Sequence, residues 1–286
     1  MTPEEIFVPV PGGRIFTLQW GEGPLLLFTH ATGMCARVYL QLLEPLGAKF
    51  RVVAPDARGH GLTELEADPA RIPADWKIYG QDLRHLVSAL GGGPVRLAGH
   101  SFGAAVAFEA AAANPGLASS VCLIDPPAIP FEHADSYRAA READGRPPNA
   151  MADQAERRRG RFASRAAVRA AYRDRGVFRD WPERALDDYL DGGLLAEGDG
   201  VRLACSPAWE AASFRGVTTT MRESLKAAAF PFTLLLAEKD SPAPAGFEAA
   251  VRALQPQAIV RRFPGTGHFL PVTHPELVRP WLEALT

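Results

Sequence analysis

A serine flanked by two glycines is the first candidate for chemistry. Ser101 lies in Gly99-His100-Ser101-Phe102-Gly103. The short apolar run at 94–98 predicts a buried strand before it, and the alanine-rich run at 104–111 favours a helix after it. The flanking glycines remove side chains that would clash in so tight a turn, which predicts a nucleophilic Ser101. The alternative is an ordinary strand-to-helix turn with a capping serine.

A serine hydroxyl is a weak nucleophile at neutral pH and needs a general base within hydrogen-bond reach. His268 is the predicted base because it follows the last predicted strand, in Pro264-Gly265-Thr266-Gly267-His268-Phe269, at the sheet edge expected for Ser101. His100 is next to the serine but poorly placed to accept its proton. We interpret the remaining histidines of the seven as helix, loop or turn residues: His30, His60, His85, His133 and His274.

The base in turn needs an acid that fixes its tautomer and stabilises the imidazolium. Two carboxylates between Ser101 and His268 follow predicted strands, Asp125 and Asp240. Asp240 comes one strand before the strand of the histidine, and we take it as the predicted acid. Asp125, followed by two prolines, remains the alternative.

The predicted oxyanion hole consists of two backbone N–H groups. Phe102 supplies one at the start of the helix after Ser101, where the helix dipole also favours negative charge. Thr32 supplies the other, from the small and flexible loop His30-Ala31-Thr32-Gly33 after a buried strand. The alternative is that this loop only turns the chain.

Apolar runs and helical patterns alternate over residues 25–125, after an initial hairpin and before two further strands at 232–237 and 259–263. This alternation predicts an α/β fold with a mostly parallel sheet flanked by helices. The segment between about 128 and 225 has few β-branched runs and many charges. We therefore predict a core at 1–127 and 226–286, and a helical insert at 128–225.

These motifs together resemble the α/β-hydrolase superfamily, as a serine-nucleophile, cap-containing member. The elbow at Ser101 matches the nucleophile motif of that family. The loop at His30 resembles its His-Gly oxyanion loop, with Ala31 in place of the glycine, and Asp56-Ala57-Arg58-Gly59-His60-Gly61 resembles its D-x-R-G-x-G loop. The resemblance covers about 5–125 and 230–285, and it implies that the insert is a cap that roofs the active site. Serine at the elbow argues against haloalkane dehalogenase or epoxide hydrolase chemistry, which in this superfamily needs a carboxylate nucleophile.

We expect a serine hydrolase that cleaves a carboxylic ester or a related acyl bond through an acyl-enzyme, without cofactor or metal. Carbon–carbon bond hydrolysis, lactone opening and perhydrolysis remain alternatives on the same triad, and a non-catalytic ligand-binding homologue is a further one. The expected partner is a small-molecule acyl substrate. The residues predicted to contact it are His30, Met34, His100, Phe131, Trp209 and Phe269, and Trp181 and Phe214 are further aromatic candidates.

The composition excludes other classes of partner. The 286 residues have a net charge of −2, which gives no reason to expect nucleic acid or an anionic membrane as a partner. The apolar runs are too short to span a bilayer, and the acidic start lacks a secretory signal. Three widely spaced cysteines predict reduced thiols in a cytoplasmic protein.

Four arginines of the predicted insert recur every four residues, at 161, 165, 169 and 173. This spacing predicts one stripe along a helix. We interpret the stripe as a solvated or salt-bridged face, with an anionic substrate or partner as the alternative.

Overall fold

The computed structural model describes residues 2–72, 75–144 and 146–285. Its strands are β1 (Glu4–Val10), β2 (Gly13–Trp20), β3 (Leu25–Thr29), β4 (Arg51–Pro55), β5 (Val95–His100), β6 (Ala118–Ile124), β7 (Arg161–Phe162), β8 (Leu194–Glu197), β9 (Gly200–Leu203), β10 (Phe232–Ala237) and β11 (Ile259–Phe263).

Helices follow most of these strands. They are α1 (Leu40–Leu43), α2 (Trp76–Ala89), α3 (Phe102–Ala113), α4 (Ala134–Asp144), α5 (Ala150–Glu156), α6 (Arg165–Tyr172), α7 (Glu183–Gly192), α8 (Pro207–Arg215), α9 (Met221–Ala227), α10 (Phe247–Leu254), α11 (Leu270–Thr273) and α12 (Pro275–Glu283), with 3-10 turns at Ala36–Tyr39, Glu44–Ala48, Phe131–His133 and Gly176–Phe178. Among the residues described, no helix is long and apolar enough to cross a bilayer.

In the described part of the chain, eight strands form one sheet in the order β1-β2-β4-β3-β5-β6-β10-β11. β2 is antiparallel to both of its neighbours, and every pairing from β4 to β11 is parallel. The mostly parallel sheet and the initial hairpin are therefore confirmed. Central strands such as β10 are buried on both faces, which explains their uninterrupted apolar sequences.

Helices cover both faces of the sheet, as the sequence predicts. Along β5, Leu97 belongs to the cluster that includes α2 and α3, whereas Ala98 belongs to the opposite cluster with α1 and α12. Successive strand residues point to opposite faces, so each central strand contributes to both layers. α3 is buried almost all round, which fits its near-continuous alanine and phenylalanine content.

The chain between β6 and β10 is an insertion that contains more than helices. It holds α4 to α9, and its described part also includes a three-stranded antiparallel sheet in the order β7-β9-β8. The expectation of a helical insert therefore leaves out these strands. The missed signal is Gly198-Asp199, a hairpin turn between two short runs, in which Gly198 has a φ of 55°. The domain boundaries stay a prediction, and α9 runs across the one placed between 225 and 226.

The four regularly spaced arginines do not share one helix. Arg161 lies in β7, α6 begins only at Arg165, and Arg173 follows its last residue. Their interpretation as salt-bridged is confirmed, because each contacts a carboxylate. The pairs are Arg161 with Glu197, Arg165 with Asp191, Arg169 with Glu183 and Asp187, and Arg173 with Glu183.

The end of β3 packs directly against the turn between β5 and α3. A Cβ added to Gly103 would lie 2.6 Å from the Thr29 carbonyl carbon, and one added to Gly99 would lie 2.6 Å from the carbonyl carbon of Gly103. Both obstacles are backbone atoms, which cannot rotate away. The two glycines are therefore required by the close approach of two backbone segments.

We expect Gly103→Ala to lower the free energy of unfolding by about 3 kcal/mol or more, because the new methyl group overlaps the backbone of β3. Gly80→Ala in α2 is the matched control, since its Cβ would meet only the Ala110 Cβ at 3.6 Å. The control should be neutral or gain up to about 1 kcal/mol from helix propensity. Urea denaturation of both variants measures this, and equal midpoints would contradict the packing argument.

Candidate active site

Ser101 occupies a strained turn between a strand and a helix. It is the single residue between His100, the last of β5, and Phe102, the first of α3. Its φ of 55° and ψ of −124° are unusual for a residue with a side chain. The Ser101 N–H donates to the Ile124 carbonyl at 2.8 Å, which ties the turn to the end of β6.

His268 joins Ser101 to a buried carboxylate. Its Nε2 lies 3.0 Å from the Ser101 Oγ, and its Nδ1 lies 2.7 Å from an Asp125 oxygen. A carboxylate accepts hydrogen bonds, so Nδ1 carries the proton and Nε2 is free to accept one from the serine hydroxyl. Asp125 is fully buried, and its other oxygen accepts from the Ala237 N–H and the Ser241 hydroxyl. The arrangement can deprotonate Ser101 and compensate the charge that His268 then acquires.

Asp240, the predicted acid, does not contact His268. The carboxylate that does so belongs to Asp125. Asp240 is exposed, three residues beyond the end of β10, and the turn that contains it is tied to the histidine loop by Glu238, which accepts from the Gly265 N–H. Asp125 follows β6 directly, beside the elbow strand β5. The signal in favour of Asp125 is that it lies directly at the end of its strand, and that this strand is next to the one that leads to Ser101.

The loop after β3 leaves one N–H free at the predicted oxyanion position. Its neighbours are all used: Ala31 donates to the Tyr39 hydroxyl, Gly33 to the His60 Nε2, and Met34 to the Ala31 carbonyl. Among the described residues, Thr32 N–H has no acceptor. Phe102 N–H, in the first turn of α3, has none either. The two free donors at Thr32 and Phe102 are those expected from the sequence.

Two buried neutral histidines support this loop. Burial, together with the proximity of His60, lowers the pKa of His30 to about 3, and burial lowers the pKa of His60 to about 4. His30 accepts from the Ala57 N–H and donates to the Ala31 carbonyl, and His60 accepts from Gly33. His30 and His60 therefore link backbone segments by hydrogen bonds, which agrees with their interpretation as structural loop residues.

His100 and Tyr39 connect the loop that carries Thr32 to the backbone of His268. His100 Nε2 lies 2.9 Å from the His268 carbonyl and must donate to it, so Nδ1 accepts from the Tyr39 hydroxyl at 2.8 Å. Tyr39 in turn accepts from the Ala31 N–H. Burial, and secondarily the nearby His268, lower the pKa of His100 well below its usual range, which keeps it neutral.

A cavity of about 340 Å³ opens above Ser101, between the core and the insertion. Ser101, His268 and Thr32 lie on its floor with the apolar side chains of Met34 and Phe269. Residues from the insertion supply the opposite wall, among them Arg158, Tyr172, Arg175, Phe178, Glu210 and Phe214. The size is at the lower end of small-molecule pockets.

Comparison with known proteins identifies the family. A sequence profile of the alpha/beta hydrolase family matches residues 26–281. The chain belongs to the alpha/beta hydrolase family. It is 28% identical over 267 residues to a 2-(acetamidomethylene)succinate hydrolase of Mesorhizobium japonicum, covering 93% of this chain and 88% of the relative. With the family, this relative makes hydrolase the general functional class.

Solved structures show the same alpha/beta hydrolase fold. The crystal structure of an E-2-(acetamidomethylene)succinate hydrolase superimposes with a TM-score of 0.81 and 25% identity, covering 99% of this chain and 98% of that one. A thioesterase domain from the curacin biosynthetic pathway gives a TM-score of 0.78 at 19% identity, over 99% of each chain. The second likeness concerns the fold alone.

Of the residues predicted to contact substrate in this alpha/beta hydrolase, Met34 and Phe269 line the cavity, and so does Phe214. The others are placed elsewhere, because each has a packing or hydrogen-bonding role. His30 and His100 are buried linkers, Phe131 packs on Phe247, Trp209 donates to the Arg58 carbonyl, and Trp181 packs behind Phe269.

The polar residues of the cavity wall are not predicted from the sequence. Glu210 accepts from Arg158 Nη1 through both oxygens, at 2.6 and 2.5 Å, and Arg158 Nη2 donates to the Tyr172 hydroxyl at 3.0 Å. Burial raises the pKa of Glu210, which Arg158 opposes. Arg158 precedes the four regularly spaced arginines, but no spacing in the sequence links it to Glu210, 52 residues away.

We expect His100→Leu to destabilise the fold by about 1–3 kcal/mol, because it leaves the buried Tyr39 hydroxyl and the His268 carbonyl without their partner. His100→Gln is the matched variant, since its amide can donate to His268 and accept from Tyr39, and it should retain most of that stability. Chemical denaturation compares the two. If leucine is tolerated as well as glutamine, the hydrogen bonds of His100 contribute nothing to stability.

Proposed function

We propose that this chain is a serine hydrolase that cleaves an acyl bond of a small substrate by way of an acyl-enzyme. Ser101 is the nucleophile, His268 the base and Asp125 the acid of its catalytic triad. The observation that carries the proposal is the continuous row of hydrogen bonds from Asp125 through His268 to Ser101, which ends at the floor of a cavity.

In the first half-reaction, His268 Nε2 takes the hydroxyl proton as Ser101 Oγ attacks the substrate carbonyl. Asp125 stabilises the imidazolium that forms. The negative charge on the carbonyl oxygen is stabilised by the N–H groups of Thr32 and Phe102, each donor typically contributing a factor of about 100–1,000 in rate. His268 then returns the proton to the leaving group as the bond to it breaks.

In the second half-reaction, a water molecule replaces the leaving group. His268 takes a proton from this water, whose oxygen attacks the acyl-enzyme carbonyl. The same two N–H groups stabilise the second oxyanion. The carboxylic acid departs, and the proton on His268 returns to Ser101, which restores the resting state.

The comparisons favour the carbon–carbon bond alternative over the carboxylic ester. The Mesorhizobium relative is a hydrolase of 2-(acetamidomethylene)succinate, a dicarboxylate whose name contains an acetamido group and a carbon–carbon double bond. We infer that the bond cleaved here is an amide or a carbon–carbon bond next to a carbonyl. Both have poor leaving groups, which makes the proton returned by His268 essential.

We expect Ser101→Ala to abolish labelling by a fluorophosphonate probe and to lower turnover by about a thousandfold or more, because the proposed acyl-enzyme forms on the Ser101 hydroxyl. 4-Nitrophenyl acetate, 4-nitroacetanilide and pentane-2,4-dione test ester, amide and carbon–carbon cleavage. Ser136→Ala, at an exposed serine of the insertion, is the control and should leave both readouts unchanged. Labelling that survives in Ser101→Ala would refute the assignment of the nucleophile.

Asp125→Asn should lower kcat by about a thousandfold or more, since an amide nitrogen facing His268 Nδ1 donates and leaves the proton on Nε2. Its oxygen can still accept from Ala237 and Ser241, so we expect a folded protein. Asp240→Asn makes the same chemical change at an exposed site and should retain activity. Kinetics and thermal unfolding of both variants test this, and a larger loss at residue 240 would overturn the choice of acid.

A further inference from the structure

The cavity above Ser101 has an unbalanced positive charge. Apart from His268, its charged lining residues are Arg158, Arg175 and Glu210. Arg158 and Glu210 form a close ion pair, so their charges cancel. Arg175 is left as the uncompensated charge in a lining that is otherwise mostly apolar.

Arg175 differs in this respect from the three arginines that precede it in α6 and directly after it. Arg165, Arg169 and Arg173 each contact a carboxylate of α7 or of the residues around it. Within the described residues, the guanidinium of Arg175 has neither an ion-pair partner nor a hydrogen bond. Acidic side chains of α7 are thus available nearby, and Arg175, which lines the cavity, is not neutralised by them.

Tyr172 lines the same cavity as Arg175 and supplies a second possible donor. The Arg175 N–H donates to the Tyr172 carbonyl at 3.1 Å, so the two residues are one turn apart on the same wall. The Tyr172 hydroxyl oxygen accepts from Arg158 Nη2, which leaves its hydrogen free to donate. Among the residues described, no acceptor is placed against that hydrogen.

We propose that the substrate carries a carboxylate, which Arg175 binds with the help of the Tyr172 hydroxyl while the reacting carbonyl lies at Ser101. This inference rests on the proposed hydrolase function and adds the substrate class. A single unpaired guanidinium matches the single charge of a carboxylate, and its planar fork fits the two carboxylate oxygens. A phosphate dianion would require further donors and positive charge. The cavity volume suits a small carboxylic acid derivative rather than a long acyl chain.

The test compares 4-acetoxybenzoate, which is an anion, with its neutral methyl ester, methyl 4-acetoxybenzoate, by release of the phenol. Arg175→Gln should lower the ratio of kcat/KM for the anionic ester to that for the neutral ester by about tenfold to a hundredfold, the range expected for a charge-assisted hydrogen bond. The ratio of the two kcat/KM values is compared between variants, so their different intrinsic reactivities cancel.

Arg179→Gln is the matched control, because Arg179 is an exposed arginine of the same segment that does not line the cavity. It removes the same net charge and should leave the ratio unaltered. Tyr172→Phe should lower the ratio in the same direction as Arg175→Gln. The preference of the natural protein for the anionic ester should also weaken as salt is raised.

The outcomes separate this inference from the proposed function. Ser101-dependent cleavage of both esters with a ratio that Arg175→Gln does not change would overturn the carboxylate site and leave the hydrolase assignment intact. An equal change in Arg179→Gln would also overturn it, since the effect would then be general surface charge. Cleavage of neither ester, or cleavage that survives Ser101→Ala, counts against the function itself.

Discussion

The close approach of the β3 carboxyl end to the elbow is the constraint on which the site depends. Because Gly103 has no side chain, the carbonyls of Thr29 and His30 lie against the first turn of α3. The Thr29 hydroxyl donates to the Gly103 carbonyl at 2.8 Å and also contacts the Ala98 carbonyl at 3.2 Å. The loop that carries Thr32 therefore starts from a fixed place relative to Ser101. In the proposed reaction, two N–H groups from separate elements are thus held in place for a charge that exists only while the substrate reacts, which is the condition for effective electrostatic stabilisation.

Buried histidines maintain that arrangement without adding charge. His30, His60 and His100 all have pKa values lowered by burial, and each uses one ring nitrogen as a donor and the other as an acceptor. A neutral imidazole suits this role because it joins a backbone N–H or a hydroxyl to a carbonyl over several ångströms. His268 is different, since one of its ring nitrogens faces a carboxylate. The imidazolium that forms on it during the proposed reaction is therefore compensated by Asp125.

The sequence predicted what depends on local pattern. The elbow, the alternation of strands and helices and the loop at Thr32 each follow from runs of neighbouring residues, and each is found where it was expected. The prediction that places Asp240 against His268 is wrong. Both carboxylates follow buried strands, and Asp125 is distinguished only by its position directly at a strand end and by the tertiary packing that brings His268 to it. Glu210 and Arg158 were missed for the same reason, since their pairing depends on how α8 packs against the end of α5. The strands of the insertion are too short for their periodicity to be recognised.

The groups proposed to react and the charged groups that line the cavity come from different parts of the chain. Ser101, His268 and Asp125 follow strands of the large sheet, whereas Arg158, Arg175 and Glu210 all lie between β6 and β10. Changes in that insertion can therefore alter which substrate is held without moving the reacting atoms. The separation is incomplete at one point, because a Cβ on Gly33 would collide with the Glu210 carboxylate. The insertion thus packs directly on the loop that presents Thr32, so a substitution that displaces Glu210 is felt at the oxyanion position as well as in the cavity wall.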